Sequence, residues 1–152
     1  ETAGRLLRVQ EYLDNETFCF TYGDGLSDIN LTKLIEFHKK NKKKSTLTAV
    51  QPPGRYGALK INENLVDKFQ EKPAGDNAWI SGGFFVLEPQ IFDYIENDST
   101  SWEANVLPIL ASQKQLASFL HKGFWRPMDT LRDKNYLEDL WNSGTPPWKL
   151  WK

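Results

Sequence analysis

The sequence contains one cysteine, Cys19, and two histidines among its 152 residues. A single cysteine cannot form a disulfide within the chain, which excludes a disulfide-stapled secreted fold and makes the cytoplasm the expected location. No apolar run approaches the ~18 residues of a membrane span, and no signal-peptide pattern opens the chain, so no membrane partner is expected. Basic and acidic residues number 19 and 20, and this balance excludes nucleic-acid binding driven by bulk positive charge.

What the sequence does contain is apolar and aromatic material. Hydrophobic residues make up 39% of the chain and aromatic residues 13%, with six tryptophans, which is enough to fill a core and excludes wholesale disorder. The length fits one domain, or roughly one and a half, at the usual ~100–200 residues per domain. The chain starts at Glu1 rather than at a methionine, so we expect it to be a piece of a longer protein.

The first half of the chain has the pattern of a strand, a helix and a second strand. Residues 17–22 are rich in aromatic residues and threonine, and they predict a buried strand that ends in a Gly-Asp-Gly turn. Apolar residues recur at helical spacing from Leu31, behind the candidate caps Asp28 and Asn30, and residues 45–50 predict another strand. This order forms a βαβ unit, which favours a parallel sheet.

The second half predicts an antiparallel excursion and further α/β structure. Residues 58–61 and 66–70 flank an Asn-Glu-Asn turn and predict a hairpin. Residues 80–87 predict a strand interrupted at Ser-Gly-Gly, and Thr130 with Asp133 three positions later predicts the capped start of the last helix. Other predicted elements are helices at 89–95 and 106–111 and a strand at 116–120. The fold class predicted is therefore α/β, with a sheet flanked by helices.

Two aspartates are candidate metal ligands. Asp24 lies between two glycines at the end of a predicted strand, where open α/β sheets bind ligands, although a turn aspartate often only caps its own loop. Asp129 follows an apolar stretch and precedes a helix, so its simpler role is an N-terminal cap. If both carboxylates face one cleft, they form the oxygen pair that Mg²⁺ takes beside a nucleotide.

Charged residues next to proline and glycine are weaker candidates. Lys72 and Glu71 precede a proline at a predicted sheet edge, where a lysine can hold a phosphate as a point charge, although such pairs are usually only solvated. Arg5 and Arg55 follow glycines, which places a cation beside flexible backbone. Cys19 is interpreted as an inert core residue, and the two histidines receive no role.

Five motifs follow one another along the chain: FTYGDG at 20–25, PPGRYGAL at 52–59, FQEKP at 69–73, SGGFFV at 81–86 and WRPMDTLRDK at 125–134. In this order they resemble the motifs of the sugar-1-phosphate nucleotidylyltransferases. The PPWK segment at 146–149 resembles the branch of that family that uses CTP and glucose 1-phosphate.

The resemblance implies a fold, a reaction and a set of partners. The fold is a mixed, mostly parallel sheet flanked by helices, and residues 1–152 form a single partial domain with a closing helix and Trp-rich tail at about 130–152. The reaction transfers a cytidylyl group from CTP to α-D-glucose 1-phosphate and gives CDP-glucose and pyrophosphate. The resemblance implies Mg²⁺ as the cofactor and a homo-oligomer as the assembly. It also implies a pathway that makes activated sugars for polysaccharide.

The resemblance also implies the site residues. Asp24, Lys72 and Asp129 would be catalytic, with the two aspartates as Mg²⁺ ligands and Lys72 on the sugar phosphate. The remaining residues would contact the substrates: Glu71 the sugar hydroxyls, Gly57 and Gly82 the sugar through their backbone, and Arg5 and Gly23 the nucleotide. Ala3 stands where the family usually has a glycine, which weakens the expected backbone contact near Arg5.

The family's glycine-rich nucleotide loop, with its Gly-Gly-x-Gly-Thr-Arg pattern, is absent from this sequence. We therefore expect the chain by itself to be inactive, and unstable or associated. Two alternatives stay open: thymidylyl or uridylyl transfer within the same family, and a non-catalytic piece that binds a sugar phosphate or serves in assembly.

Overall fold

The computed structural model describes residues 1–52, 54, 58–71 and 78–151. It contains four α-helices within those residues, and their bounds are α1 Thr2–Arg8, α2 Leu31–Asn41, α3 Leu107–Ser112 and α4 Leu131–Asn142. Short 3₁₀ segments lie at Gln10–Tyr12 and Pro89–Tyr94, and a π-helical turn at Trp102–Val106 leads into α3. No helix in the described residues is long and apolar enough to cross a membrane.

Eight strands are described, and their bounds are β1 Phe18–Thr21, β2 Gly25–Ser27, β3 Ser45–Val50, β4 Ala58–Asn62, β5 Leu65–Gln70, β6 Ile80–Leu87, β7 Leu116–His121 and β8 Trp125–Pro127. They form a four-stranded sheet in the order β1-β6-β3-β7 and two separate two-stranded ribbons, β2-β8 and β4-β5. The α/β class with a sheet flanked by helices is confirmed.

The two strands of the predicted βαβ unit, β1 and β3, are not neighbours in the sheet, because β6 lies between them. Strand β6 pairs with β1 in the antiparallel direction, with Phe20 opposite Phe85. Exposure alternates along β1, whereas β3 is buried at nearly every residue, which fits an edge strand and a central strand respectively. Because alternation places Phe18 and Phe20 towards the core, Cys19 faces outwards and is exposed, so its assignment to the core was wrong.

Strand β6 is continuous, so the predicted interruption at Ser-Gly-Gly was wrong. Within this strand Gly83 adopts a φ of +76°, and a Cβ there would lie 2.8 Å from the ring of Tyr22. Glycine is the residue that tolerates both the left-handed backbone and the close aromatic ring.

The chain divides into two compact units. The first comprises residues 1–22, 30–48 and 83–119, and its core surrounds Trp102. The Trp102 ring lies edge-on to Phe20 and Phe85, with ring centres 5.8 and 5.6 Å away. Each such aromatic pair adds ~0.5–1.5 kcal/mol beyond the burial of its area.

The second unit comprises residues 23–29, 49–82 and 120–152, and contains both ribbons and helix α4. Its C-terminal tail packs against the rest of the unit, where the Trp148 ring lies 5.5 Å from that of Phe124. In the β4-β5 ribbon, Leu59 pairs with Phe69 and Ile61 with Val66, and all four side chains are more than half exposed.

Candidate active site

The β2-β8 ribbon brings together two segments that are about a hundred residues apart in the sequence. Its antiparallel register pairs Ser27 with Trp125, Leu26 with Arg126 and Gly25 with Pro127. The backbone N–H of Met128 then donates to the carbonyl oxygen of Asp24 at 2.8 Å, so the contact continues one residue beyond the strands.

This hydrogen bond brings the backbone of Asp24 close to the backbone next to Asp129, the other candidate metal ligand. Asp24 accepts the bond, and Asp129 is the next residue after the donor. Both side chains are exposed. Because β8 ends at Pro127, the strict alternation of strand side chains does not apply at Asp129, and its carboxylate is not forced to the side opposite Asp24.

Helix α4 begins at Leu131, two residues after Asp129, and its start is capped as the sequence predicted. The Thr130 hydroxyl oxygen accepts from the backbone N–H of Asp133 at 3.2 Å, and the Asp133 carboxylate accepts from the backbone N–H of Thr130 at 3.2 Å. This is a capping box in which Asp133 takes the place of the usual glutamate. Asp129 precedes the cap residue, so its carboxylate is not the one that caps α4.

The carboxylate of Asp133 is buried, with 3% of the residue exposed, and is paired with Arg126. The Nε and Nη2 atoms of Arg126 lie 3.1 and 2.9 Å from the Oδ1 atom of Asp133. A hydrogen bond from the Thr130 hydroxyl, with the charge of Arg126, lowers the pKa of Asp133, although burial opposes the change. The guanidinium charge beside the candidate site is therefore balanced by Asp133 and does not need to be balanced by Asp24 or Asp129.

Gly82 is linked to the same ribbon by a side chain. The indole Nε1–H of Trp125 donates to the Gly82 carbonyl oxygen at 2.8 Å. Gly82 is buried near the start of β6, whereas Gly23 and Glu71 are exposed. All of these residues belong to the second unit, together with Asp24 and Asp129.

The other predicted site residues are placed elsewhere or are not described. Gly57 and Lys72 lie outside the described residues. Arg5 lies in the first unit, on helix α1 and exposed to solvent. Its neighbour Gly4 is helical and buried against the backbone of Asp98, so the flexible backbone expected beside Arg5 is not found.

The two aspartates fit Mg²⁺ as ligands. No group of three or more histidine, cysteine, aspartate or glutamate side chains suited to a metal occurs in the part of the chain that is described. Mg²⁺ does not need such a cage, because it usually takes one or two carboxylates and completes its octahedron with water and phosphate oxygens. Asp24 and Asp129 carry exposed carboxylates on adjoining backbone, and carboxylate oxygens are of the hard type that Mg²⁺ binds.

The two histidines are structural. His38 is buried, and its ring nitrogens lie 2.8 Å from the Thr46 hydroxyl and from the Glu88 carboxylate. The Nε2 atom of His121 lies 3.2 Å from the Ser27 hydroxyl and 2.9 Å from Asp28. A catalytic triad uses the two different nitrogens of the ring, so this arrangement is not one.

Sequence reasoning noted Arg126 and Trp125 only as parts of a motif and missed how they support the site. Asp133 was predicted as the capping partner, but its pairing with Arg126 was not. The Thr-x-x-Asp spacing signals the cap, whereas no local spacing signals a contact between a strand residue and the following helix.

The chain is similar to known proteins along most of its length. A family model described as nucleotidyl transferase matches residues 1–138. The chain is 58% identical to the glucose-1-phosphate cytidylyltransferase of Salmonella typhimurium, over 99% of this chain and 59% of that protein. It is 36% identical to the mannose-1-phosphate guanyltransferase of Saccharomyces cerevisiae, over 90% of this chain and 39% of the relative. The chain thus spans about three fifths or less of the length of these curated relatives.

The fold also matches a solved structure. The crystal structure of HddC from Yersinia pseudotuberculosis complexed with GMP-PN aligns with a TM-score of 0.64 at 21% identity, covering 89% of this chain and 60% of that one. At this identity the match concerns the fold alone. The family match over residues 1–138 and the extended identity to the Salmonella relative show that this chain belongs to the nucleotidyl transferase family.

Proposed function

We propose that the chain forms the sugar-binding and metal-binding part of an enzyme that transfers a cytidylyl group from CTP to α-D-glucose 1-phosphate. The products are CDP-glucose and pyrophosphate. The observation that carries the proposal is the 58% identity to the Salmonella cytidylyltransferase along 99% of this chain. The guanyltransferase relative is 36% identical, so cytidylyl transfer is favoured over transfer of another base.

The proposal treats both compact units as parts of one nucleotidyl transferase domain, as the sequence predicted. The family match supports it, because residues 1–138 run through segments of both units. The helix α4 and the Trp-rich tail then close the domain. A reducing, cytoplasmic location goes with this assignment, because the substrates are soluble phosphates.

The chemical step needs no general base. A sugar phosphate oxygen is already ionised near neutral pH and can attack the α-phosphorus of CTP directly, and pyrophosphate leaves. The barrier comes from bringing two polyanions together and from the charge that develops on the departing pyrophosphate. Catalysis is then positioning and electrostatic stabilisation, which agrees with histidines that are engaged in structural contacts.

Each site residue has a role in this scheme. Asp24 and Asp129 would hold Mg²⁺, which supplies positive charge for the phosphate oxygens when it is bound. Lys72 would hold the phosphate of the sugar as a point charge, and Glu71 would accept hydrogen bonds from sugar hydroxyls. The remaining roles are backbone or nucleotide contacts, assigned to Gly57, Gly82, Gly23 and Arg5.

Self-association is part of the proposal. The β4-β5 ribbon exposes four apolar side chains as the cross-strand pairs Leu59–Phe69 and Ile61–Val66. Exposed apolar strand surface is typical of an interface. Light scattering would test this, and a monomer at all concentrations would contradict it.

The deciding experiment measures pyrophosphate release in an enzyme form that contains these residues together with a glycine-rich nucleotide loop. Glucose 1-phosphate is paired in turn with CTP, dTTP, UTP and GTP. We expect release with CTP and Mg²⁺, and much less with the other triphosphates. Preference for another triphosphate would reassign the base, and no release with any of them would overturn the enzymatic assignment.

A further inference from the structure

The Asp133 carboxylate uses both of its oxygens to hold the chain on the two sides of Asp129. Its Oδ2 atom accepts from the Thr130 hydroxyl at 2.7 Å and from the Thr130 backbone N–H at 3.2 Å. Its Oδ1 atom accepts from the guanidinium of Arg126, at 3.1 Å from Nε and 2.9 Å from Nη2. The residue before the segment 127–129 and the residue after it are therefore attached to one buried carboxylate.

A third attachment lies inside that segment. The backbone N–H of Met128 is bonded to the carbonyl oxygen of Asp24. Asp129 thus stands between two residues whose backbone N–H groups are fixed, Met128 and Thr130. Its own side chain remains exposed and available to a ligand.

Helix capping alone does not account for this arrangement. A capping box needs only one carboxylate oxygen, and here Oδ2 fills that role. Burying a carboxylate and an arginine together costs desolvation free energy, which exposed surface pairs avoid. The second oxygen and the Arg126 side chain add a connection to β8 that the cap does not require.

We infer that Asp133, held by Arg126, is a positioning residue that fixes Asp129 for binding a divalent cation. The inference rests on the proposed function, because it assumes that Asp129 is a metal ligand. Partners that orient metal ligands typically change metal affinity by ~10–100-fold when they are removed.

Metal binding to the enzyme form that contains these residues together with a glycine-rich nucleotide loop tests the inference without relying on turnover. Mn²⁺ serves as the probe, and free Mn²⁺ is measured by electron paramagnetic resonance during titration. Asp133→Asn and Thr130→Val should each raise the Kd for Mn²⁺ by ~10-fold or more, whereas Thr130→Ser, which keeps the hydroxyl, should restore it. Arg126→Gln gives a second variant in case Asp133→Asn does not fold.

Asn30→Ala is the matched control, because it removes the side-chain cap of α2, which bonds the backbone N–H of Lys33 at 2.9 Å. This variant loses a helix cap in the first unit, and its Kd for Mn²⁺ should be unchanged. In the enzyme form with the nucleotide loop, Asp133→Asn should raise the Mg²⁺ concentration for half-maximal rate by a similar factor and leave KM for glucose 1-phosphate unchanged.

Two failures can be told apart. If Asp129→Asn weakens Mn²⁺ binding while Asp133→Asn and Thr130→Val do not, the positioning role is overturned and the metal site stands. If Asp129→Asn leaves Mn²⁺ binding unchanged, the proposed metal site fails, and the inference fails with it.

Discussion

The backbone N–H of Met128 donates to the carbonyl oxygen of Asp24 at 2.8 Å, so the residue before one candidate metal ligand is bonded directly to the other. The β2-β8 ribbon makes this contact possible, since it sets the register of the two segments over three residue pairs. Two carboxylates that are distant in the sequence are thereby carried on adjoining backbone.

Replacing either aspartate should impair catalysis. Asp24→Asn and Asp129→Asn keep the size of the side chain but remove its charge, and each should lower turnover by ~10²-fold or more because a key electrostatic group is lost. Steady-state pyrophosphate release in the enzyme form with the nucleotide loop measures this. Asp139→Asn, at an exposed aspartate on α4, is the control and should retain full activity. Turnover within a few-fold of wild type would remove the altered aspartate from the metal site.

Lys72→Ala should chiefly weaken the binding of glucose 1-phosphate. The lysine is proposed to neutralise the sugar phosphate, so its loss should raise the apparent Kd with less effect on nucleotide binding. Isothermal titration calorimetry with each substrate measures the affinity for glucose 1-phosphate and the affinity for the nucleotide separately. Lys68→Ala changes an exposed lysine on β5 and should leave both affinities unchanged. An unaltered affinity for glucose 1-phosphate in Lys72→Ala would contradict the assigned role.

The contribution of Asp133 to stability should depend on pH. Its pKa is lowered in the folded protein, chiefly by the Thr130 hydroxyl, so the folded state favours the charged form. The resulting stabilisation is fully present above the ordinary pKa of an aspartate, ~3.9, and is lost as the pH falls through the lower folded value. Urea unfolding at several pH values should therefore show a difference in midpoint concentration between wild type and Asp133→Asn. This difference should be large at pH 7 and become smaller in acid. A gap of constant size would contradict this reading.

Gly4→Ala should destabilise the first unit. Alanine would gain ~1 kcal/mol over glycine in a helix, but its Cβ would lie 2.2 Å from the Asp98 carbonyl oxygen. Such overpacking typically costs ~1–3 kcal/mol, and backbone cannot move aside as a flexible side chain can, so the clash outweighs the gain. Thermal unfolding should show a lower Tm. Gly23→Ala, where no atom lies within 4 Å of the added Cβ, should leave Tm unchanged.

Local patterns predicted local structure well. Of the two candidate caps Asp28 and Asn30, the structure makes Asn30 the cap of α2, and Thr130 caps α4 as predicted; both side chains accept the expected backbone N–H bonds. The hairpin was also predicted and is found as β4-β5. Caps and hairpins depend on interactions between near neighbours, which the sequence order contains.

Long-range arrangement was harder to predict. The sequence does not contain a local signal that β6 returns between β1 and β3, nor that the three-residue strands β2 and β8 pair. Strands this short have no measurable periodicity, and helix α1 was missed because only seven residues form it. The family resemblance supplied the candidate site residues, whereas the contacts of Asp133 and Trp125 depend on tertiary packing.

Trp125 takes part in two connections at once. Its backbone pairs with Ser27 in the β2-β8 ribbon, and its indole N–H holds the carbonyl oxygen of Gly82. The strand proposed to line the sugar pocket and the ribbon proposed to carry the metal ligands are therefore joined through one side chain. Trp125→Phe keeps an aromatic ring but removes the indole N–H that bonds to Gly82. This variant should therefore lose affinity for the sugar phosphate and for the cation together.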